Sequence, residues 1–204
     1  MASLIELSGL TTASVIAYDG AGGQTVTTTH PDGTVAEQVF FGDRLMTETT
    51  RHPGLGTLHA ATYAYDAAGR LLSQTDARGG VTTHGYDARD RLTTVVMPDP
   101  DPTRSGSGYD VGTVTYNYDA MSRIIAVTTP DSGTVTTSYD PTGSVRRVAG
   151  VRTYPIEYGY ELQGRLKTMT TWQDFAGDAG RAVTTWIYDD LRGWLTGKRL
   201  ADGS

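Results

Sequence analysis

The chain has 204 residues, a formal net charge of -6 and no cysteine. The missing cysteine excludes disulfide scaffolds, thiolate metal sites and cysteine nucleophiles. The acidic balance, with a pI near 5.1, argues against a nucleic-acid face, which needs a basic stripe. No apolar run approaches the ~20 residues of a membrane span. The start, Met1-Ala-Ser-Leu-Ile-Glu6, lacks the basic region of a signal peptide. Apolar content of 38% with 12 tyrosines is too rich for disorder. Thirty-three threonines and 25 glycines set the character. Threonine is β-branched and favours strands, and glycine favours tight turns.

Residues 1–17 are read as an N-terminal strand region, a degenerate repeat. Leu4 to Leu10 is too short for a helix and is interrupted by Gly9. From residue 18 to 204 the chain reads as a repeat array, with frames starting at 18, 39, 65, 86, 118, 139, 160 and 188. The consensus is Tyr-Asp-x-x-Gly-Arg-Leu. The first frame supplies Tyr18, Asp19 and Gly22, and the second, a degenerate copy from Val39, retains Arg44 and Leu45. Tyr65, Asp66, Gly69, Arg70 and Leu71 match fully. Tyr86, Asp87, Arg91 and Leu92 follow, with Asp90 for glycine, then Tyr118, Asp119, Arg123 and Ile124 with Ser122 for glycine. Tyr139, Asp140 and Gly143 come next, with Ser144 where arginine belongs. Tyr160, Glu161, Gly164, Arg165 and Leu166 almost match, and the last copy has Tyr188 and Asp189 with Arg192 and Gly193 in swapped order. Successive gaps are 21, 26, 21, 32, 21, 21 and 28.

Each unit carries a second punctuation point. Threonine stands ten residues after the frame start at Thr28, Thr49, Thr75, Thr128 and Thr170, and glycine fifteen after it at Gly33, Gly54, Gly80, Gly133 and Gly203. The frame itself predicts a three-residue hairpin loop, a type I turn followed by a left-handed residue that makes a bulge. Asp140-Pro141-Thr142-Gly143 fills the favoured slots of such a turn. Arginine is expected near aspartate at the hairpin neck. The runs between turns read as strands. Thr57 to Tyr65, Val111 to Tyr118 and Arg181 to Tyr188 each end in alternating aromatics, and Arg70 to Thr75 and Arg123 to Thr129 lead away from frames. The longer gaps place insertions at or beside the second turn, namely Met97 to Gly108, rich in proline and then glycine, and Asp174 to Gly180.

These residues resemble the Rhs/YD-repeat family: bacterial Rhs polymorphic toxins, wall-associated proteins, Tc toxin components and teneurins. The resemblance covers roughly residues 16–204. It implies an all-β fold, an array of antiparallel β-hairpin repeats forming a curved ribbon or partial hollow shell. It also implies a secreted or cell-surface protein whose shell encloses a C-terminal toxin or effector domain. Neighbouring repeats and that domain are the expected partners. The family's Asp-Pro-x-Gly-Leu cleavage motif has its nearest match at Asp140 to Ser144, which lacks the leucine and reads as an ordinary turn. The chain stops inside a second turn, so it is read as an excerpt or fragment of an array, or as a decayed gene product.

No catalytic, cofactor or metal site is expected. Equivalent aspartates in neighbouring units stand two strands, ~9.6 Å, apart, too far to share an ion. Asp99 and Asp101 lack a completing carboxylate cluster. Gly20-Ala-Gly-Gly23 resembles a phosphate loop, but Gly22 occupies the frame's turn slot and no Lys-Thr/Ser follows. His30 and His52 share a second-turn place, and His59 and His84 fall in strand runs. A second reading is a glycan- or partner-binding surface. Its candidate stacking residues are Tyr63, Tyr65, Tyr116, Tyr118, Tyr158, Tyr160, Trp186 and Tyr188, against a packing role for the same rows.

Overall fold

The computed structural model describes residues 3–7, 10–99 and 112–203, and every described element is a β-strand or a turn. The central part of the Met97 to Gly108 loop, with Asp101, lies outside the described residues. The chain divides into two compact units, Met1–Gly112 and Thr113–Ser204. The first contains β1 (Ser3–Leu7), β2 (Leu10–Tyr18), β3 (Gly23–Thr29), β4 (Val35–Phe41), β5 (Arg44–His52), β6 (Gly56–Tyr65), β7 (Leu71–Asp76), β8 (Val81–Tyr86) and β9 (Leu92–Val96). The second contains β10 (Thr113–Tyr118), β11 (Ile124–Thr129), β12 (Gly133–Tyr139), β13 (Val145–Gly150), β14 (Thr153–Tyr160), β15 (Leu166–Thr171), β16 (Ala182–Tyr188) and β17 (Leu195–Arg199).

Within each unit the strands form an antiparallel meander in which every strand pairs with the next in sequence. Strand periodicity sorts the residues onto two faces. In the first unit Ile16, Val26, Gln38, Glu48 and Ala61 stand opposite one another in a row. On the other face Thr25, Val39, Thr47, Thr62 and Thr75 do the same. The second unit repeats this. Tyr116, Val127 and Val135 line one face, and Thr115, Thr128 and Thr134 the other, with the Thr128 and Thr134 hydroxyls 2.8 Å apart. The threonine excess is therefore a cross-strand threonine row, where β-branched side chains pack well on the pleat.

Neither face is covered by a second layer of described residues. Among the described residues only Ala61 and Trp172 are buried hydrophobics, at 3% and 4% exposure, and no large side chain is fully buried. An ordinary domain packs two layers around a core. Here the stabilising contacts run between neighbouring strands instead.

The 26-residue step from frame 39 to frame 65 is taken up by strand length rather than loop. β5 and β6 span 9 and 10 residues, joined across His52 and Gly56. The Asp174 to Gly180 insertion forms a small closed loop, with Gln173 and Asp174 N–H groups donating to the Gly180 and Ala179 carbonyls. It brings Phe175 edge-on to Trp172, with ring centroids 5.1 Å apart, and the Trp172 indole N–H donates to Asp178 at 2.6 Å.

Candidate functional site

The most regular surface of each unit is the edge formed by the frame turns. In the fully matching copy the Asp66 N–H donates to the Arg70 carbonyl and the Gly69 N–H to the Asp66 carbonyl, both at 2.9 Å. This is a type I turn closed by a left-handed residue, with Gly69 at φ +83. Asp87, Asp119, Asp140 and Glu161 close their turns by the same pair of bonds. The residue in the glycine slot has positive φ in each: Asp90, Ser122, Gly143 and Gly164. Asp90 and Ser122 hold that conformation at a steric cost that glycine avoids. In all five hairpins the tyrosine pairs directly with the residue in the leucine slot across a β-bulge.

The aspartate does two things. One carboxylate oxygen caps the turn: Asp66 Oδ1 accepts the N–H groups of Ala68 and Arg70 at 2.9 Å. Asp19, Asp87, Asp119 and Asp140 accept the equivalent pairs. The other oxygen receives the frame arginine. Arg70, Arg91 and Arg123 each donate Nε–H to Oδ2 of their own aspartate at 2.7 Å, and Arg165 pairs with Glu161. These donors hold the carboxyls below the usual range. For Asp66 and Asp119 the first cause is the backbone N–H of the frame arginine. For Asp87 it is the Arg91 side chain, which brings the carboxyl to about 2.

The arginine then reaches the next hairpin. Arg44 lies over the Tyr65 ring at 5.8 Å from its centroid, Arg70 over Tyr86 at 4.8 Å, Arg123 over Tyr139 at 4.4 Å and Arg165 over Tyr188 at 4.6 Å. The tyrosine answers by donating its hydroxyl to the carbonyl of the previous frame's last residue. Tyr65 donates to Leu45, Tyr86 to Leu71, Tyr139 to Ile124, Tyr160 to Val145 and Tyr188 to Leu166, all at 2.8 to 2.9 Å. Arg70 also donates to Asp90 of the following turn at 2.6 Å. A frame that carries both residues, such as Asp66 with Arg70 or Asp119 with Arg123, is thus capped by its aspartate and clipped to its neighbour by arginine and tyrosine. Sequence reasoning placed the arginine beside the aspartate and missed the clip. The signal was the constant 15-residue spacing from Leu71 to Tyr86, Ile124 to Tyr139 and Val145 to Tyr160.

Two expectations need correction. The copy at Val39 does not form a three-residue loop: Phe41 pairs with Arg44 across Gly42 and Asp43, which have φ of 54° and 61°. Two consecutive left-handed residues make the tight turn that matches strand twist. Arg44 and Leu45 still serve Tyr65 as their counterparts do. At Tyr188 the loop is one residue longer, so that Gly193 is the left-handed residue and Trp194 stands in the arginine slot. Asp189 N–H donates to the Trp194 carbonyl, and Tyr188 pairs with Leu195. In the second turns, Gly54 and Gly80 do not carry the left-handed conformation; Gly56 and Gly79 do, at +77 and +83.

The other candidates fall as follows. Tyr63, Tyr65, Tyr116, Tyr118, Tyr158, Tyr160, Trp186 and Tyr188 are all half-buried. The hydroxyls of Tyr65, Tyr160 and Tyr188 are committed to backbone carbonyls. His59 Nε2 and the Tyr63 hydroxyl converge on Glu48 Oε1 at 2.9 and 2.6 Å. Burial, with Glu48 adding to it, pushes Tyr63 up to about 12, while the Tyr63 and His59 hydrogen bonds draw Glu48 down. Both shifts move away from neutral pH, which suits a structural bond rather than proton transfer. Among the described residues no group of three histidines or carboxylates is placed to hold a metal ion. The Gly20 to Gly23 stretch is a turn on Asp19.

Fold and site together define a structural array of antiparallel β-hairpins, clipped to one another along one turn edge. Residues 65–101 match the family described as RHS Repeat. The frame in that segment recurs along both units. A comparison with curated proteins finds no match. Among solved structures, this chain is similar in fold to a chain of the TcdB2-TccC3-Cdc42 crystal structure, with TM-score 0.64 and 13% identity over 92% of this chain and 12% of that one. It is similar also to one of TcdB2-TccC3-TEV, with TM-score 0.63 and 13% identity over 96% and 12%. The chain thus spans about an eighth of those chains.

Proposed function

We propose that this array is a length of wall in a secreted or cell-surface shell that encloses a toxin or effector domain, with no catalysis of its own. The observation that carries this reading is the clip. Arginine on tyrosine and tyrosine on carbonyl join successive hairpins, while the sheet faces have almost no buried core. Such a sheet extends by adding hairpins, as repeat arrays do, and its strength lies in the plane of the wall. The fold likeness to much longer chains supports a place within a larger repeat assembly. Electron cryo-microscopy of the polypeptide that contains this chain is the test. The wall reading expects these hairpins in a continuous wall around internal density. Repeats folded as separate compact domains would overturn it.

The second reading, a glycan-binding face, is favoured by the aromatic rows. It predicts that Tyr65→Ala abolishes binding on a glycan array while the fold survives. The wall reading predicts a loss of thermal stability from that variant instead, since it removes a clip.

A further inference from the structure

We propose that the opening beside Ser144 is a binding site for a guanidinium group, the head of an arginine side chain presented by another polypeptide. Arg70, Arg123 and Arg165 are each received by a carboxylate oxygen of their own turn and by the next tyrosine's ring face, and the guanidinium lies near the next turn's left-handed residue; Arg44 shows the last two of these. A Cβ added at Gly69 or Gly193 would fall on the guanidinium of Arg44 or Arg165, and one at Gly143 would sit 3.9 Å from Arg123 Nη1. Between Tyr139 and Tyr160 the arginine slot holds Ser144, whose hydroxyl lies 3.5 Å from that of Thr142. Its side chain is too short to reach the neighbouring hairpin.

All three receiving groups are nevertheless in place. Asp140 Oδ1 takes the N–H groups of Thr142 and Ser144 and the Thr142 hydroxyl. Oδ2, the oxygen that binds arginine in Asp66, Asp87 and Asp119, meets no donor among the described residues. A Cβ on Gly164 would meet nothing within 4 Å, unlike its counterparts at Gly69 and Gly193. Tyr160 keeps its hydroxyl on the Val145 carbonyl, so its ring stays fixed. Against Asp140 and Tyr160 lies an opening of about 680 Å³, whose lining includes Thr142, Glu161 and the two cations Arg146 and Lys167. Arg146 is drawn toward Glu157 at 3.8 Å. A planar guanidinium matches a carboxylate and an aromatic face together, which a compact ammonium does less well.

The other frame without arginine sharpens the point. Gly23 stands in its slot, and an opening of about 320 Å³ lies there against Tyr18, Gly22 and Phe40. The following frame begins with Val39, so no tyrosine face is offered, and no guanidinium site is expected. The inference stands on turn geometry and is independent of the wall reading.

The test is a titration of the whole chain, followed by NMR at the Tyr160 ring and the Ser144 amide. The probes are methylguanidinium, N-acetylarginine methylamide and N-acetyllysine methylamide at matched ionic strength. Saturable shifts with both guanidinium probes are expected, and at least threefold weaker binding of the lysine probe. Methylguanidinium binding as well as the arginine amide shows that the head group alone is read. A tenfold preference for the amide shows that a polypeptide arginine is read as well. Ser144→Arg installs the repeat's own residue, is expected to fold, and should weaken binding at least tenfold by filling the site. Asp140→Asn should weaken it at least threefold. Binding that persists unaltered in Ser144→Arg, equal binding of the lysine probe, or no saturable shift overturns the proposal.

Discussion

The two turn edges within each unit are built differently. Along the frame edge the turns at Asp66, Asp87, Asp119 and Asp140 share a carboxylate cap and a left-handed residue in a set slot, and clips join most neighbours. Along the other edge His30 to Thr34 and Asp76 to Gly80 close by the frame's pair of backbone bonds, and Asp76 caps its turn as a frame aspartate does, but the turns vary in length and composition. His30 to Thr34 has proline in its second place and Asp32 capping Thr34; Gly150 pairs with Thr153 across two residues; Gln173 to Gly180 is a longer closed loop. Links between hairpins concentrate on the frame edge, so its geometry is constrained. Loop-closure entropy grows only slowly with length, so the other edge accommodates insertions.

One place breaks that comparison. Trp172 lies beside the variable-edge insertion and is buried to 4% exposure, edge-on to Phe175. Trp172→Ala should have the largest effect of any single change considered, about 3 kcal/mol or more, read by denaturant unfolding. A loss below about 1 kcal/mol would mean the insertion lies loosely on the sheet. Glycine substitutions compare the edges directly. Gly69→Val meets both positive φ and the Arg44 guanidinium, whereas Gly56→Val, at φ +77, meets nothing within 4 Å. The first should cost about 2–3 kcal/mol and the second about 1 kcal/mol. Equal losses would remove the distinction.

Acid sharpens the role of the caps. Asp87 titrates near 2 in the folded chain against a usual 3.8. Its folded value is the lower one, so its stabilisation is complete above the unfolded value and is lost as pH falls from about 4 toward 2. Asp87→Asn should flatten the stability profile in that window, as followed by thermal melts. An unchanged slope would contradict the capping role. The smallest effect is expected from inserting Gly-Ser after Asp131 in a variable turn, about 0.6 kcal/mol or less. The same insertion after Ala120, within a frame turn, should cost several times more.

Much of the frame turn was legible in the sequence. Asp66 and Gly69 announce a type I turn with a left-handed closing residue through local turn chemistry, which depends only on neighbours in sequence. The phase of the repeats likewise shows in composition. The clip was not legible, because a bond from Tyr86 to the Leu71 carbonyl joins residues far apart in sequence, through a backbone atom that every residue type possesses. The conformation of the second-turn glycines was not legible for a related reason. Gly79 and Gly80 are adjacent, and only the turn geometry decides which takes positive φ. Nor does a missing arginine look like a site until the neighbouring ring and carboxylate are seen to stay in place.

The central claim is that arginine and tyrosine clip one hairpin to the next. Arg123 and Tyr139 give its cleanest test, because Arg123 Nη1 is buried without a hydrogen-bond partner and its guanidinium lies 4.4 Å from the Tyr139 ring centroid. A double-mutant cycle of Arg123→Met and Tyr139→Leu, measured by denaturant unfolding, should give a coupling of about 1 kcal/mol. Additive effects, with coupling below about 0.2 kcal/mol, would contradict the clip.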